Sequence, residues 1–441
     1  MSFLESTRHE NNGPSATPAE AVLQRRIPSE GGRVHRPSVS LSETVLDSVS
    51  SDRARASIPE QYQSTFDELR NGILAFCAEF QIPVSALSNK EIFGTYLASP
   101  KIPQKRMEEM VLLFQWFEYL LVHKEPFKEG LPQVLEYTER LYHLREQYTD
   151  QVELLECVGI LDEGAITGID GNRYPLPTLE QIAQRVYEQR EILETKHDQG
   201  FTKLLLIPFG MSLDVLISTF RKFLLDYKED HENFDLNRKD PFTTSSANYQ
   251  IVDRGGYPKI VYFPKSFDPK NHQGKNKFEI LKDQAAGPSS FPGWTIHLFQ
   301  PSDSAHPDSP GFASIPKMGK GNVRGKKNPR PDLEAGTSAA ESLFFLQKVF
   351  QDPVSPYFHE SGMTPEDWIL MFMTHLQETG EPSDDCVDDL ENRTYLIGSF
   401  FSSFFLVPCA SWHRDRQQVS LNKYNPYEPN SIMGVRSSVI I

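Results

Sequence analysis

From Phe66 onward, apolar residues recur every three or four positions. Phe66, Leu69, Ile73, Phe76, Cys77 and Phe80 fall on one helix face, and similar faces follow over Val111 to Leu121 and Val134 to Leu155. This periodicity predicts a helical domain over residues 58–162. Residues 1–57, rich in Ser, Pro, Glu and Arg with few aromatics, bury too little apolar area to offset the entropy of ordering and predict a disordered tail.

Past residue 168 the pattern changes. The turn-rich GIDGNRYPLPTLEQ places Thr178 and Gln181 as a capping box, predicting a helix from Leu179 to Lys196. The apolar run Leu204 to Ile207 reads as a buried strand. Leu213, Leu216, Ile217, Phe220, Phe223, Leu224 and Tyr227 read as a second amphipathic helix. Lys259 to Pro264 and Gly293 to Phe299 predict strands, and Pro301 to Pro331 sustains neither period and predicts a long functional or poorly ordered loop. A helix over Ser338 to Phe350 precedes one capped by Thr364, with Pro365 at its first position, Asp367 closing a capping box and Gly380 stopping it. Four short strand-like pieces end the chain: TYLIGSFF, LVPCASW, QQVSL and GVRSSVII. Their short connections predict antiparallel neighbours. The fold class is α+β: a disordered N-terminal tail, a helical N-terminal domain and a mixed domain over 163–441 ending in an antiparallel sheet.

At 441 residues and 38% hydrophobic, the chain is long enough for more than one core. Sixty acidic against 45 basic residues, a net charge of -15, disfavour nucleic acid as the main partner. The cysteines, Cys77, Cys157, Cys386 and Cys409, form no CxxC pair and read as buried free thiols. The first residues lack a basic stretch leading into an apolar one, and no apolar run approaches membrane-spanning length, so a cytoplasmic start is the default and export stays open. The twelve histidines form no HxH, HExxH or mixed carboxylate cluster, so no metal site and no cofactor is expected; His297 and His375 lie on apolar stretches and read as core histidines. No nucleophile motif or paired carboxylates stand out, which points away from an enzyme.

Two stretches carry candidate chemistry. In PKMGKGNVRGKKNPR, Gly319, Gly321 and Gly325 alternate with Lys317, Lys320, Arg324, Lys326 and Lys327, so successive amides and cations could cradle an anion; the stretch lacks the P-loop order and the strand-to-helix setting of a dinucleotide site. The other is the C-terminal strip. Leu406, Val407, Ala410, Val419, Leu421, Val435 and Val439 fill a core, leaving Ser411, His413, Arg414, Asp415, Gln418, Asn422, Lys423, Tyr424, Asn425, Tyr427, Glu428, Asn430, Ser431 and Ile432 to project outward. A sheet holding aromatic, Arg and Asn side chains outward gains contact area at low ordering cost. A plain solvated sheet edge has the same polar composition.

The span from Gly168 to Ile441 resembles an uncharacterised family of multi-copy hypothetical proteins from candidate-phylum bacteria, through YPLPTLEQI, QGFTKLLLIPFGMSLDVLI, VYFPKSFDPKNHQGK, GWTIHLF, the Gly/Lys loop with its PDLEA continuation, SGMTPEDWILMFMTHLQETGE, and VPCASW through GVRSSVII. Its ending, a VPxxxW strand, a strip of unlike residues and a terminal GVRxxV, resembles the variable region of retroelement-diversified proteins. That resemblance implies a C-type-lectin-like sheet over 363–441. It makes Gly398, Val407, Pro408, Trp412, Gly434, Val435 and Arg436 scaffold, and the outward residues contacts for a protein or other macromolecular ligand. Two alternatives stand beside it: an intracellular phosphate- or nucleotide-binding protein using residues 316–330, and an assembly protein docking partners on its helical domain.

Overall fold

The computed structural model describes residues 43–97, 101–124, 131–244, 260–287, 291–303, 306, 309–385 and 392–441. The chain divides into two units between residues 129 and 130. The first contains α1 (Glu43–Ser50), α2 (Asp52–Ala56), α3 (Gln63–Glu79), α4 (Lys90–Leu97) and α5 (Gln104–His123). The predicted face of α3 packs on α5, with Phe66 and Phe117 4.9 Å apart between ring centres. Two corrections follow. Val45, Leu46 and Val49 of α1 are buried in this core, so Glu43–Ser50 and Asp52–Ala56 are helices rather than tail, because three apolar residues at helical spacing suffice to dock a short segment. Residues 1–42 lie outside the described residues.

The second correction is the domain boundary. Helices α6 (Leu131–Tyr142) and α7 (Leu144–Cys157), broken at His143 in a left-handed conformation, belong to the second unit. The physical reason is a sheet edge. Strand β1 (Lys203–Ile207) ends a four-stranded sheet, and α7 satisfies its outer edge with glutamine side chains. Gln147 accepts from Leu204 N and donates to Thr202 O, while Gln151 accepts from Leu206 N and donates to Leu204 O, all within 2.7 to 3.0 Å. An exposed strand edge invites foreign pairing, and here a helix covers it.

The second unit continues with α8 (Leu179–Glu188), α9 (Arg190–Asp198), α10 (Leu213–Asp230), β2 (Phe242–Thr244), α11 (Lys277–Ala286), β3 (Thr295–Phe299), α12 (Ala339–Phe350), β4 (Glu360–Gly362) and α13 (Pro365–Thr379). The helix expected over 179–196 is thus two, parted at Gln189. The chain ends with β5 (Arg393–Tyr395), β6 (Val407–His413), β7 (Gln418–Tyr424), β8 (Met433–Gly434) and β9 (Ser437–Ile440). The capping boxes at Thr178 and Thr364 are both formed, and Gly380 ends α13 with φ 76°.

Two sheets share these strands. One runs β1-β3-β9-β4, antiparallel throughout; the other runs β8-β5-β6-β7-β2. Helix α13 is buried nearly throughout and packs on β1 of the first sheet, on β6 of the second and on α10. The expectation of four antiparallel C-terminal pieces holds for β5-β6 and β6-β7 only. Strand β8 lies parallel to β5, β7 lies parallel to β2, and GVRSSVII is divided between the sheets, β9 joining β3 and β4. Residues 363–441 are therefore not self-contained: β2, β3 and β4 supply pairings that the last strands need. The stretch expected to lack strands pairs Val323–Arg324 with Arg330–Pro331. Among the described residues, no helix is long and apolar enough to cross a membrane.

Candidate recognition face

Strand pleating assigns the C-terminal strip to two sides. The β6-β7 register pairs Ala410 with Leu421 and Trp412 with Val419, and these four face the α13 core, where Trp412 lies near Phe234 and Phe372. Ser411 with Ser420, His413 with Gln418, Cys409 with Asn422, and Val407 with Tyr424 take the other side. On that side Arg393 pairs with Met433, and Ser411, Ser420 and Thr243 follow one another across β6, β7 and β2; Val407, Cys409 and Met433 belong to a second hydrophobic core with Leu343 and Leu346 of α12, on which Tyr424 packs.

Of the outward set, the structure brings Ser411, His413, Gln418, Asn422 and Tyr424 together on this face. Two of them are corrected in exposure: Ser411 and Gln418 are buried, at 3% and 6%. Ser411 lies within 3.3 Å of His413 Nε2, and Asn422 donates to Ser420, so the short polar side chains bond to one another along the face. Lys423 is on the opposite side, paired with Pro408, its ammonium 4.9 Å from the centre of the Phe404 ring. That is a consequence of the two-residue period, which sends neighbours to opposite faces.

The remaining residues sit at the ends of the hairpin. Arg414 and Asp415 are exposed in the turn, Arg414 donating to Asp385. At the other end, Asn425 donates to Glu428 and Asn430 donates to the Tyr424 hydroxyl, folding the 425–432 loop back against the sheet. Tyr427 is 61% exposed, Ser431 is exposed and Ile432 is half-buried. Sequence reasoning missed Thr243 and Arg393. Ser420 was legible from its alternation with Gln418 and Asn422, whereas Thr243 arrives by parallel pairing from a distant segment. Burial, with the Arg393 guanidinium, lowers the His413 pKa and favours neutral imidazole. Burial also pushes the Cys409 thiol up to about 12, leaving it a packing group. Cys77 is buried as well, Cys157 is exposed, contrary to the expectation for buried thiols, and Cys386 lies outside the described residues.

The residues implied to be scaffold are packed accordingly. Trp412, Val407, Pro408 and Val435 are buried. Arg436 pairs with buried Asp384, which also accepts from Trp368 Nε1 and Thr394. A Cβ on Gly398 would meet Gly362 O at 2.5 Å, so no larger residue fits there.

The glycine loop is bound from within. Glu334 accepts from Gly319 N and Gly321 N, each at 2.7 Å; Asp332 accepts from Asn322 N and Arg324 Nε; Asp198 accepts from Lys326 N and Lys327 N. The Gly319 and Gly321 amides hold the Glu334 carboxyl below its ordinary range, and the Lys327 and Lys326 amides do the same to Asp198. The anion cradle expected over Lys317, Lys320, Arg324, Lys326 and Lys327 therefore holds the protein's own carboxylates. Among the described residues no cluster of three His, Cys, Asp or Glu side chains could hold a metal ion. Compared with protein-family models, curated proteins and solved structures, the chain matches none.

Proposed function

We propose that this protein is a non-enzymatic binding protein. It presents the hairpin turn, the 425–432 loop and the half-buried His413, Asn422 and Tyr424 next to them to a protein or other macromolecular ligand, on a C-type-lectin-like scaffold diversified by a retroelement. One observation carries the reading: the hairpin register separates a core-facing row, Ala410, Trp412, Val419 and Leu421, from the half-buried His413 and Asn422 on the other side and from two contact-rich turns at the hairpin's ends. Side chains on the second set can change without touching the first, which a diversified surface requires.

Sequencing this gene across a natural population tests it. Substitutions are expected to concentrate at His413, Arg414, Asp415, Asn422, Tyr424, Asn425, Tyr427, Glu428, Asn430 and Ser431, and to spare Trp412, Gly434 and Arg436. Equal variation at these positions and in residues 200–244 would overturn the reading. Thermal melts give a second check. Trp412→Ala is expected to cost about 3 to 5 kcal/mol as a core deletion, and Tyr427→Ala, at an exposed site, about 0.5 kcal/mol or less. The reverse order sinks the division into scaffold and display.

A further inference from the structure

Beneath the glycine loop, where β3 ends and β9 begins, lies a cleft lined by Arg324, Arg330, Arg436, Asp332, Phe312 and Ser437 among others. Three guanidinium groups reach one small space, against a single lining carboxylate. Arg330 is 2% exposed and Arg436 8%, and the Arg324 side chain is 15% exposed. Isolated charges are costly to bury, so each arginine's partners must be accounted for.

Arg330 is fully engaged. Its Nε and Nη2 grip Glu360 at 2.7 Å each, and Nη2 also donates to Ser437. Arg436 uses Nε on Ala313 O and Nη1 on Thr394 and Asp384. Arg324 uses Nε on Asp332. Among the described residues, Arg324 Nη1 and Nη2 and Arg436 Nη2 have no protein partner. The charges tell the same story. The ion pairs of this cluster join the cations Lys196, Arg324, Arg330 and Arg436 to the carboxylates Asp332, Glu360 and Asp384, one fewer anion than cations; the surplus lies at Glu360, which Arg330 shares with Lys196, and burial lowers the Lys196 pKa. His375 does not change the count, because burial lowers its pKa to about 4 and leaves it neutral.

We propose that this cleft is a phosphoryl-binding site, in which Arg324 and Arg436 donate to the oxyanion and buried Arg330, held by Glu360, forms the wall beside them. Planar guanidinium forks match a tetrahedral oxyanion's oxygens, which suits two arginines offering terminal N–H groups to one space. The space among the arginines is small, with room for a few waters or one tetrahedral ion. The ligand is therefore inorganic phosphate or the phosphoryl group of a larger molecule whose remainder stays outside. The site is separate from the recognition face and does not depend on it.

The experiment is thermal denaturation of the full chain with rising inorganic phosphate, against sodium chloride at matched ionic strength. The expected result is a phosphate-specific rise in Tm that follows the one-site binding law. Arg324→Gln should weaken the fitted affinity at least tenfold, and Arg324→Lys, which keeps the charge and loses the fork, several-fold; the latter decides if the Gln variant does not fold. Lys320→Gln with Lys326→Gln, which alters the loop's outer cations only, should leave affinity within twofold. Repeating the titration with phenyl phosphate separates the sources: a response to both marks a phosphoryl group carried on a larger molecule, and a response to phosphate alone marks the free ion. A chloride response equal to that of phosphate, or unchanged affinity in both Arg324 variants, overturns the proposal.

Discussion

Two buried polar clusters lie along the same four-stranded sheet, and they solve the problem of buried charge in opposite ways. Around β4, Glu360 accepts from Lys196 Nζ at 2.8 Å, from Arg330 Nε and Nη2, and from the Ser437 hydroxyl at 2.6 Å. Around β3, His297 Nδ1 lies 2.8 Å from the Ser438 hydroxyl, while its Nε2 faces Asp367 Oδ1 across 3.9 Å, and neither of those two atoms has a hydrogen-bond partner among the described residues. The first cluster gathers two cations on one ionised carboxylate, although burial lowers the Lys196 pKa. The second sheds its charges: burial lowers His297 to about 3 and raises Asp367 to about 7, the latter against the Thr364 amide that bonds its carboxylate. Burial, the largest influence, pushes Glu360 up, but the Arg330 guanidinium and the Lys196 ammonium together outweigh it and hold the carboxyl below its ordinary value. A buried acid stays ionised when donors converge on it and takes up a proton when they do not.

The sharpest way to break this comparison is to remove the hub. Glu360→Ala leaves Lys196 and Arg330 buried beside each other without their shared carboxylate. Breaking a buried pair in this manner costs about 3 to 5 kcal/mol, read as a fall in the urea midpoint. Because Glu360 also tethers β4 to β9 through Ser437, the variant should release the strand edge beside the arginine cleft. A loss near 1 kcal/mol would mean the cluster is solvated and the contrast with Asp367 is false.

None of these charged roles was legible in the sequence, and the reason is physical. Lys196 occupies the last turn of a polar helix, Arg330 ends a basic loop and Glu360 follows His359, so composition reads each as a solvated side chain. They become a cluster only because β9, from the chain terminus, inserts between β3 and β4. What periodicity and capping could show, they showed: the α3 face, the buried β1 run, the Thr178 and Thr364 boxes and the β6-β7 hairpin are local patterns. The boundary at residue 129 and the Thr243 and Arg393 positions on the candidate face were not local. Each depends on pairing between distant segments, about which a local pattern carries no information.

A smaller effect tests the second cluster. Between about pH 4 and 7 folded Asp367 holds a proton that the unfolded chain has released, so its contribution to stability is lost as pH rises. Folded His297 lacks, between about pH 3 and 6.5, a proton that the unfolded chain binds, so its contribution is lost as pH falls. From about pH 4 to 6.5 the two oppose each other. Asp367→Asn keeps an acceptor for the Thr364 amide and removes the titration. Its urea midpoint should climb more steeply from pH 4.5 to 6.5 than that of the natural chain, and should exceed it at pH 8. Parallel profiles would mean Asp367 is ionised in the fold.

The smallest effect lies at the surface, where Glu334 repeats the Glu360 arrangement with backbone donors. Gly319, at φ 73°, lets the chain turn so that its own amide and that of Gly321 point at one carboxylate. Solvent competes for every group there, so Glu334→Gln should leave Tm nearly unchanged. Its mark is local: a neutral amide oxygen accepts less strongly than a carboxylate, so hydrogen exchange at Gly319 and Gly321 should quicken while exchange in β1 stays as it was. In the natural chain the same quickening should appear as pH falls through the depressed Glu334 titration, since a depressed carboxyl contributes order above that point and loses it below. If exchange in β1 quickened equally, the loop would be part of the global fold, and its occupied amides would matter to stability as much as the buried hub does.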